Sequence, residues 1–229
     1  MQRWDIESKE LVGSRHREKG LLCQDSTACQ VAEGKLAIAL VDAVGTTDTS
    51  SKNSREMATL INQFLLEHFD MILTSDENTV SYNFMLQIEQ RLSQKSKEYE
   101  LDKKELASTL MGIVIDPEEG TYCMIHLGDG AIAAQEKSGK VYLLSEPENG
   151  RKLTETVLST SEHALGHLRI HKGNLNKMKG IVLASDGIYK AHYDFEKLEE
   201  IFRSENPHDI LKEKKDDQAY IKMIMSASM

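Results

Sequence analysis

The sequence predicts an α+β sandwich, with helices laid on the outside of mostly antiparallel strands, and three observations predict it. Two stretches, around Met57 to Leu65 and from Thr79 to Lys97, carry apolar residues at helical spacing on one face only. From Leu106 onward, short apolar runs follow one another across turns too tight for anything but antiparallel pairing. Two further runs, Leu36 to Val41 and Ile181 to Ala184, are apolar throughout, as strands covered on both faces are. Amphipathic helices beside buried strands give a layered arrangement.

The chain of 229 residues is long enough for one sizeable core, and a single domain over residues 1–229 is expected. Hydrophobic residues at 40% and charged residues at 28% are those of an ordinary globular protein. The 28 basic and 37 acidic residues give a net charge of −9, which argues against a nucleic acid or an anionic membrane as partner. The stretch Met1 to Glu7 lacks the apolar segment of a signal peptide, and no apolar run approaches the roughly eighteen residues of a membrane span. Cys23, Cys29 and Cys123 are spaced for neither a disulfide framework nor a zinc knuckle, so reduced thiols in a cytoplasmic protein are expected.

In chain order, the weak alternation of Trp4 and Ile6 predicts an edge strand over Met1 to Glu10. A basic, glycine-bounded loop, Gly13 to Gly20, leads to Leu21-Leu22-Cys23-Gln24-Asp25. Thr27 to Ala32 and Lys35 to Val41 form a hairpin closed at Glu33-Gly34. After a polar loop from Gly45 to Lys52, Asn53 with Glu56 three residues on resembles a capping box, opening a helix whose face is Met57, Leu60, Ile61, Phe64 and Leu65. A second helix over Thr79 to Lys97 presents Ser81, Met85, Ile88 and Leu92. Strands then follow over Ala107–Ile115, Thr121–Leu127, Ala131–Gln135 and Val141–Leu144, separated by turns such as Asp116-Pro117-Glu118-Glu119-Gly120 and Gly128-Asp129-Gly130. Ser145 to Lys179 is irregular, with turn clusters at Glu148-Asn149-Gly150 and Lys172-Gly173-Asn174. A strand to Ser185, a short helix over Phe195 to Arg203, a break at Asn206-Pro207 and a strand over Ala219 to Met225 complete the chain.

Four aspartates sit at strand edges beside small or acidic residues: Asp42, Asp129, Asp186 and Asp216. Singly, an Asp-Gly step is the residue pair of an ordinary turn. Brought together, such carboxylates repel one another and need a cation, and oxygen ligands suit Mg²⁺ or Mn²⁺. Two such ions sharing a carboxylate can activate a water between them, which makes a hydrolysis site that needs no serine or cysteine nucleophile.

The order of these motifs resembles the PPM family, the metal-dependent protein phosphatases of the 2C type, and most of all its compact bacterial members. The matching stretches are Gly13-Ser14-Arg15 through Gln24-Asp25-Ser26, Val41-Asp42-Ala43-Val44-Gly45, Ala107-Ser108-Thr109-Leu110, Gly128-Asp129-Gly130, Leu183-Ala184-Ser185-Asp186-Gly187 and Asp216-Asp217. The resemblance implies a four-layer αββα sandwich of two mostly antiparallel sheets flanked by helices, with metals at one end of the sheets. It implies that Asp42 bridges two ions, Mn²⁺ or Mg²⁺, that the Ala43 carbonyl binds one, and that Asp186 and Asp216 hold the other. Asp25 would orient water, and Asp129 would serve a third, weaker ion. The implied reaction is hydrolysis of phosphoserine or phosphothreonine in a protein substrate by direct attack of water.

Two departures stand out. The family's Asp-Gly-x-Gly is Asp42-Ala43-Val44-Gly45 here, and the histidine that eukaryotic members often carry as a candidate general acid is replaced by Val44. The phosphate-binding arginine of the first motif does not align, which leaves Arg15 or Arg17 for that task.

A second reading of the same residues is a catalytically weak or inactive member that acts as a binding or regulatory module, favoured by the altered Asp42-Ala43-Val44 turn. A third class, a histidine-based metal hydrolase, requires His163, His167 and His171 to share a helix face; Gly166 and the alternation from Leu168 to His171 predict a strand that scatters them.

Overall fold

The computed structural model describes residues 3–45, 47–148, 156–189, 195–204, 211 and 214–225. In chain order the elements are β1 (Trp4–Leu11), α1 (Ser14–Arg17), β2 (Asp25–Ala32), β3 (Lys35–Asp42), α2 (Asp48–Glu67), α3 (Phe69–Thr74) and α4 (Glu77–Tyr99). After a 3₁₀ turn (Lys103–Leu106) come β4 (Leu110–Asp116), β5 (Thr121–Leu127), β6 (Ala131–Glu136) and β7 (Val141–Ser145). The remainder is α5 (Ala164–His167), β8 (Arg169–Asn174), β9 (Met178–Ala184), α6 (Phe195–Arg203) and β10 (Gln218–Met225).

The strands form two five-stranded sheets, ordered β1-β10-β9-β6-β7 and β2-β3-β4-β5-β8, and the registered pairs are antiparallel. Alternation along each strand divides the core into three layers. In β3, Ile38 and Leu40 join Met111, Ile113, Ile181, Leu183 and Ile221 between the sheets. Ala37, Ala39 and Val41 face the other way, against Met57, Ile61 and Phe64 of α2 and Phe84 and Ile88 of α4. The outer face of the other sheet, with Val182, Ala184 and Tyr220, is covered by Leu198, Ile201 and Phe202 of α6. The architecture is therefore the four-layer αββα sandwich. The uniform apolarity of β3 and β9 follows from burial on both faces.

The hairpin turn sits where the sequence places it. Glu33 and Gly34 both have positive φ, the backbone that a two-residue turn of matching twist requires. Some elements differ from expectation. Helix α2 begins at Asp48, not near Asn53: the Thr47 side chain caps it by accepting from Ser50 N at 3.2 Å. Asn53 lies inside the helix, buried, with Nδ2 donating to Leu106 O at 3.0 Å. The polar run Ser50, Ser51, Asn53, Ser54 reads as loop, yet packing buries it, and Ser54 Oγ lies 2.8 Å from Ser26 Oγ. Helix α3 occupies a stretch to which the sequence pattern assigns no element, and β4 starts at Leu110 rather than Ala107. The irregular segment contains α5, β8 and the start of β9. The expected turn at Asn149-Gly150 and the break at Asn206-Pro207 lie outside the described residues.

Candidate active site

Asp42 ends β3, and Asp25 opens β2 as its register partner. Across the inter-sheet layer, Asp186 follows β9, and Asp216 precedes β10. The ends of β3 and β9 meet although they belong to different sheets.

Two glycines allow the approach. A Cβ on Gly187 would lie 1.9 Å from Asp217 O, so the turn after Asp186 presses directly on the backbone leading into β10. A Cβ on Gly13 would lie 2.5 Å from Asp216 C, and this is where α1 is laid on the same backbone. Ser14 N donates to Lys214 O at 2.9 Å and Arg15 N to Lys215 O at 3.3 Å. Asp217 ties these pieces together. Its buried carboxylate accepts from Gly13 N at 2.7 Å and Gln24 N at 2.6 Å, and lies 2.9 Å from His16 Nδ1.

The result is a cleft of about 520 Å³ lined by Asp25, Asp42, Ala43, Asp186, Asp216 and Arg15, with His16, Lys19, Gln24, Val44, Lys215 and Asp217 completing the wall. Arg15 Nη1 pairs with Asp216 Oδ1 at 3.1 Å. Arg17 is not part of the wall; its Nη2 donates to Val12 O at 2.9 Å. Asp129 is not among the residues lining the cleft; it lies on the β5–β6 turn, where Thr156 Oγ1 donates to its Oδ2 at 2.5 Å and its charge acts on Asp42. His163 precedes α5, His167 ends it with Nδ1 2.7 Å from Glu148 Oε1, and His171 lies on β8.

Negative charge is concentrated here. Burial pushes the Asp25 carboxyl up to about 7, against a hydrogen bond from Ser185, and the charges of Asp186 and Asp217 push it the same way. Burial, then the charges of Asp25, Asp186 and Asp129, hold Asp42 well above the usual carboxylate range, although its flank on the cleft keeps some access to water. Among the described residues, no three His, Cys, Asp or Glu side chains are already closed around a point as a metal cage. The donor set nonetheless fits a hard divalent cation: carboxylates border one cleft, and the buried Asp25 Oδ2 has no hydrogen-bond partner. Ala43, where the family has glycine, is not among the residues with left-handed backbone, so its side chain introduces no strain of that kind.

A family model described as Protein phosphatase 2C matches residues 12–219. The chain belongs to the protein phosphatase 2C family. Membership makes it, by class, a protein serine/threonine phosphatase. Serine/threonine-protein phosphatase 3 of Escherichia coli (strain K12) is 23% identical over 192 residues, covering 82% of this chain and 74% of that protein. A solved serine/threonine phosphatase from S. agalactiae superposes with a TM-score of 0.70 at 13% identity, over 98% of this chain and 100% of that one. RsbX, solved in complex with magnesium, superposes with a TM-score of 0.60 at 14% identity, over 99% and 100%. At these identities the superpositions speak for the fold. For this 2C-type phosphatase, sequence reasoning singled out the carboxylates by motif order. It missed Asp217, His16 and Thr156, whose signals were adjacency to Asp216 and, for His16, a place between the two candidate arginines.

Proposed function

We propose that the chain hydrolyses phosphoserine and phosphothreonine in cytoplasmic phosphoproteins, as one domain over residues 1–229, with Mn²⁺ or Mg²⁺ as cofactor. The observation that carries this reading is the convergence of Asp25, Asp42, Asp186 and Asp216 on one cleft. Asp42 would bridge two ions, the Ala43 carbonyl would complete one, Asp186 and Asp216 the other, and Asp129 would serve a third. Bound there, the ions supply a nucleophilic water of lowered pKa and polarise the phosphoryl group.

The chain's own residues do the rest. Asp25, buried with one oxygen unpartnered, orients the attacking water. The Arg15 side chain, 67% exposed at the rim, has the reach to exchange Asp216 for two phosphoryl oxygens. Against the reading as an inactive module stands Ala43, which lies outside the left-handed backbone that would require the family's glycine. The test is phosphate release from a phosphothreonine peptide and from p-nitrophenyl phosphate, with Mn²⁺ or Mg²⁺ and with chelator. Metal-dependent turnover, lost in Asp42→Ala and Asp186→Ala, is expected. Turnover indifferent to chelation, or none with any metal, overturns the proposal.

A further inference from the structure

We infer that His16 is the general acid of this phosphatase, protonating the serine or threonine oxygen as it leaves phosphorus. The inference rests on the phosphatase reading above and adds a catalytic residue to it.

His16 lies on α1 in the wall of the cleft, with Arg15 and Lys19 on the same segment and Asp25, Asp42 and Lys215 around it. Its side chain is 18% exposed, and its ring is held from behind by Asp217, 5% exposed, at 2.9 Å from Nδ1. Asp217 also accepts two backbone N–H groups, from Gly13 and Gln24, which fix its carboxylate in place against the ring. With Nδ1 committed to Asp217, Nε2 is the ring nitrogen left for the cleft that His16 lines.

The cleft calls for such a group. Two residues after Asp42, the cleft wall carries Val44, 50% exposed and without a proton to give. A serine or threonine alkoxide is a poor leaving group at neutral pH. In the step proposed, the oxygen of the attacking water forms its bond to phosphorus. The bond from phosphorus to the substrate oxygen breaks, and its electron pair stays on that oxygen. That oxygen takes the proton from His16 Nε2. Of the water's two protons, one remains on the inorganic phosphate and the other, released to solvent, is matched by reprotonation of His16.

The test compares wild type and His16→Gln on a phosphothreonine peptide and on a series of aryl phosphates of rising leaving-group basicity, ending at p-nitrophenyl phosphate as the least basic. General acid catalysis contributes about 10²–10⁴-fold. The expected result is a loss of about a hundred-fold or more in kcat/KM on the peptide, with the loss shrinking steadily along the aryl series as the leaving group becomes less basic. His16→Asn, checked by circular dichroism and thermal unfolding, gives the same pattern. Losses equal on all substrates, or no loss on the peptide, overturn the role of His16 while leaving the phosphatase reading intact. A wild-type chain that turns over no ester with any metal removes both.

Discussion

Asp25 and Asp42 are register partners across the β2–β3 ladder, and both carboxyls are pushed above the usual range, by burial first and by neighbouring carboxylates next. A strand pair that places two acids opposite each other at the core's edge is unfavourable for the fold by itself. A group whose folded pKa is raised contributes stability that is present below its unfolded pKa and lost as pH rises through the folded value, here about 7 for Asp25. At pH 8 in chelator, Asp25→Asn is therefore more stable than wild type, by on the order of 1 kcal/mol or more, while losing activity. Thermal unfolding with chelator and with Mn²⁺ checks it: Mn²⁺ raises the wild-type midpoint and raises that of Asp42→Asn much less. A wild type at least as stable as Asp25→Asn in chelator would contradict this account.

The two candidate arginines are separated by their places in the structure. Arg15 lines the cleft and Arg17 turns to the Val12 carbonyl. A charge-assisted contact to phosphate is worth about 1.5–3 kcal/mol. Arg15→Ala accordingly raises KM for a phosphopeptide by about ten-fold or more, and Arg17→Ala by less than about three-fold. Steady-state kinetics on the two variants decide between them, and the reverse order would move the phosphate site to Arg17.

At Gly187 no side chain fits, because a Cβ would meet the Asp217 carbonyl oxygen at 1.9 Å, and that backbone cannot swing aside as a flexible side chain would. Gly187→Ala must push the Asp186 turn away from β10. A cost of about 1–3 kcal/mol is expected, with a fall in kcat because Asp186 and Asp216 move apart. Urea unfolding reads the first and turnover the second. A variant that keeps both values would show that the two segments yield independently.

The layers were legible in the sequence because burial leaves a periodic record. The two-face apolarity of β3 and β9 and the helical stripes of α2 and α4 carry it, as does the hairpin at Glu33-Gly34. The start of α2 was not legible, since Ser50, Ser51, Asn53 and Ser54 are small polar residues that only tertiary contacts with Ser26 and Leu106 draw into the interior. Strand β8 was legible only in part: the alternation from Leu168 to His171 marks its start, but it is an edge strand whose second half, Lys172-Gly173-Asn174, is polar and reads as a turn. In the site, Asp25, Asp42, Asp186 and Asp216 stand in recognisable motifs. Asp217 and His16 lie within two of the same stretches, but their roles are not legible there, because their tie spans 201 residues of chain and exists only once α1 is docked on the backbone leading into β10.

One buried histidine that does not line the cleft gives stability a pH dependence of its own. His126 on β5 is fully buried, with Nδ1 2.8 Å from Ser145 Oγ and Nε2 without a hydrogen-bond partner. Burial, then the charges of Arg169 and His171, hold its pKa well below the usual imidazole range. Arg169 is its register partner on β8, and His171 lies two residues on. The folded chain thus binds this proton less readily than the unfolded chain does. The associated stability is fully present above the unfolded pKa of about 6.5 and is lost as pH falls from there toward the folded value. His126→Gln lacks this proton, so the gap between wild type and variant shifts against wild type at up to about 1.4 kcal/mol per pH unit below about 6.5. Urea unfolding of both proteins from pH 8 to pH 5 measures the gap, and comparing the two cancels the opposite trend contributed by the cleft carboxylates. A gap that stays constant over that range would mean that His126 takes up its proton in the fold as easily as it does in water.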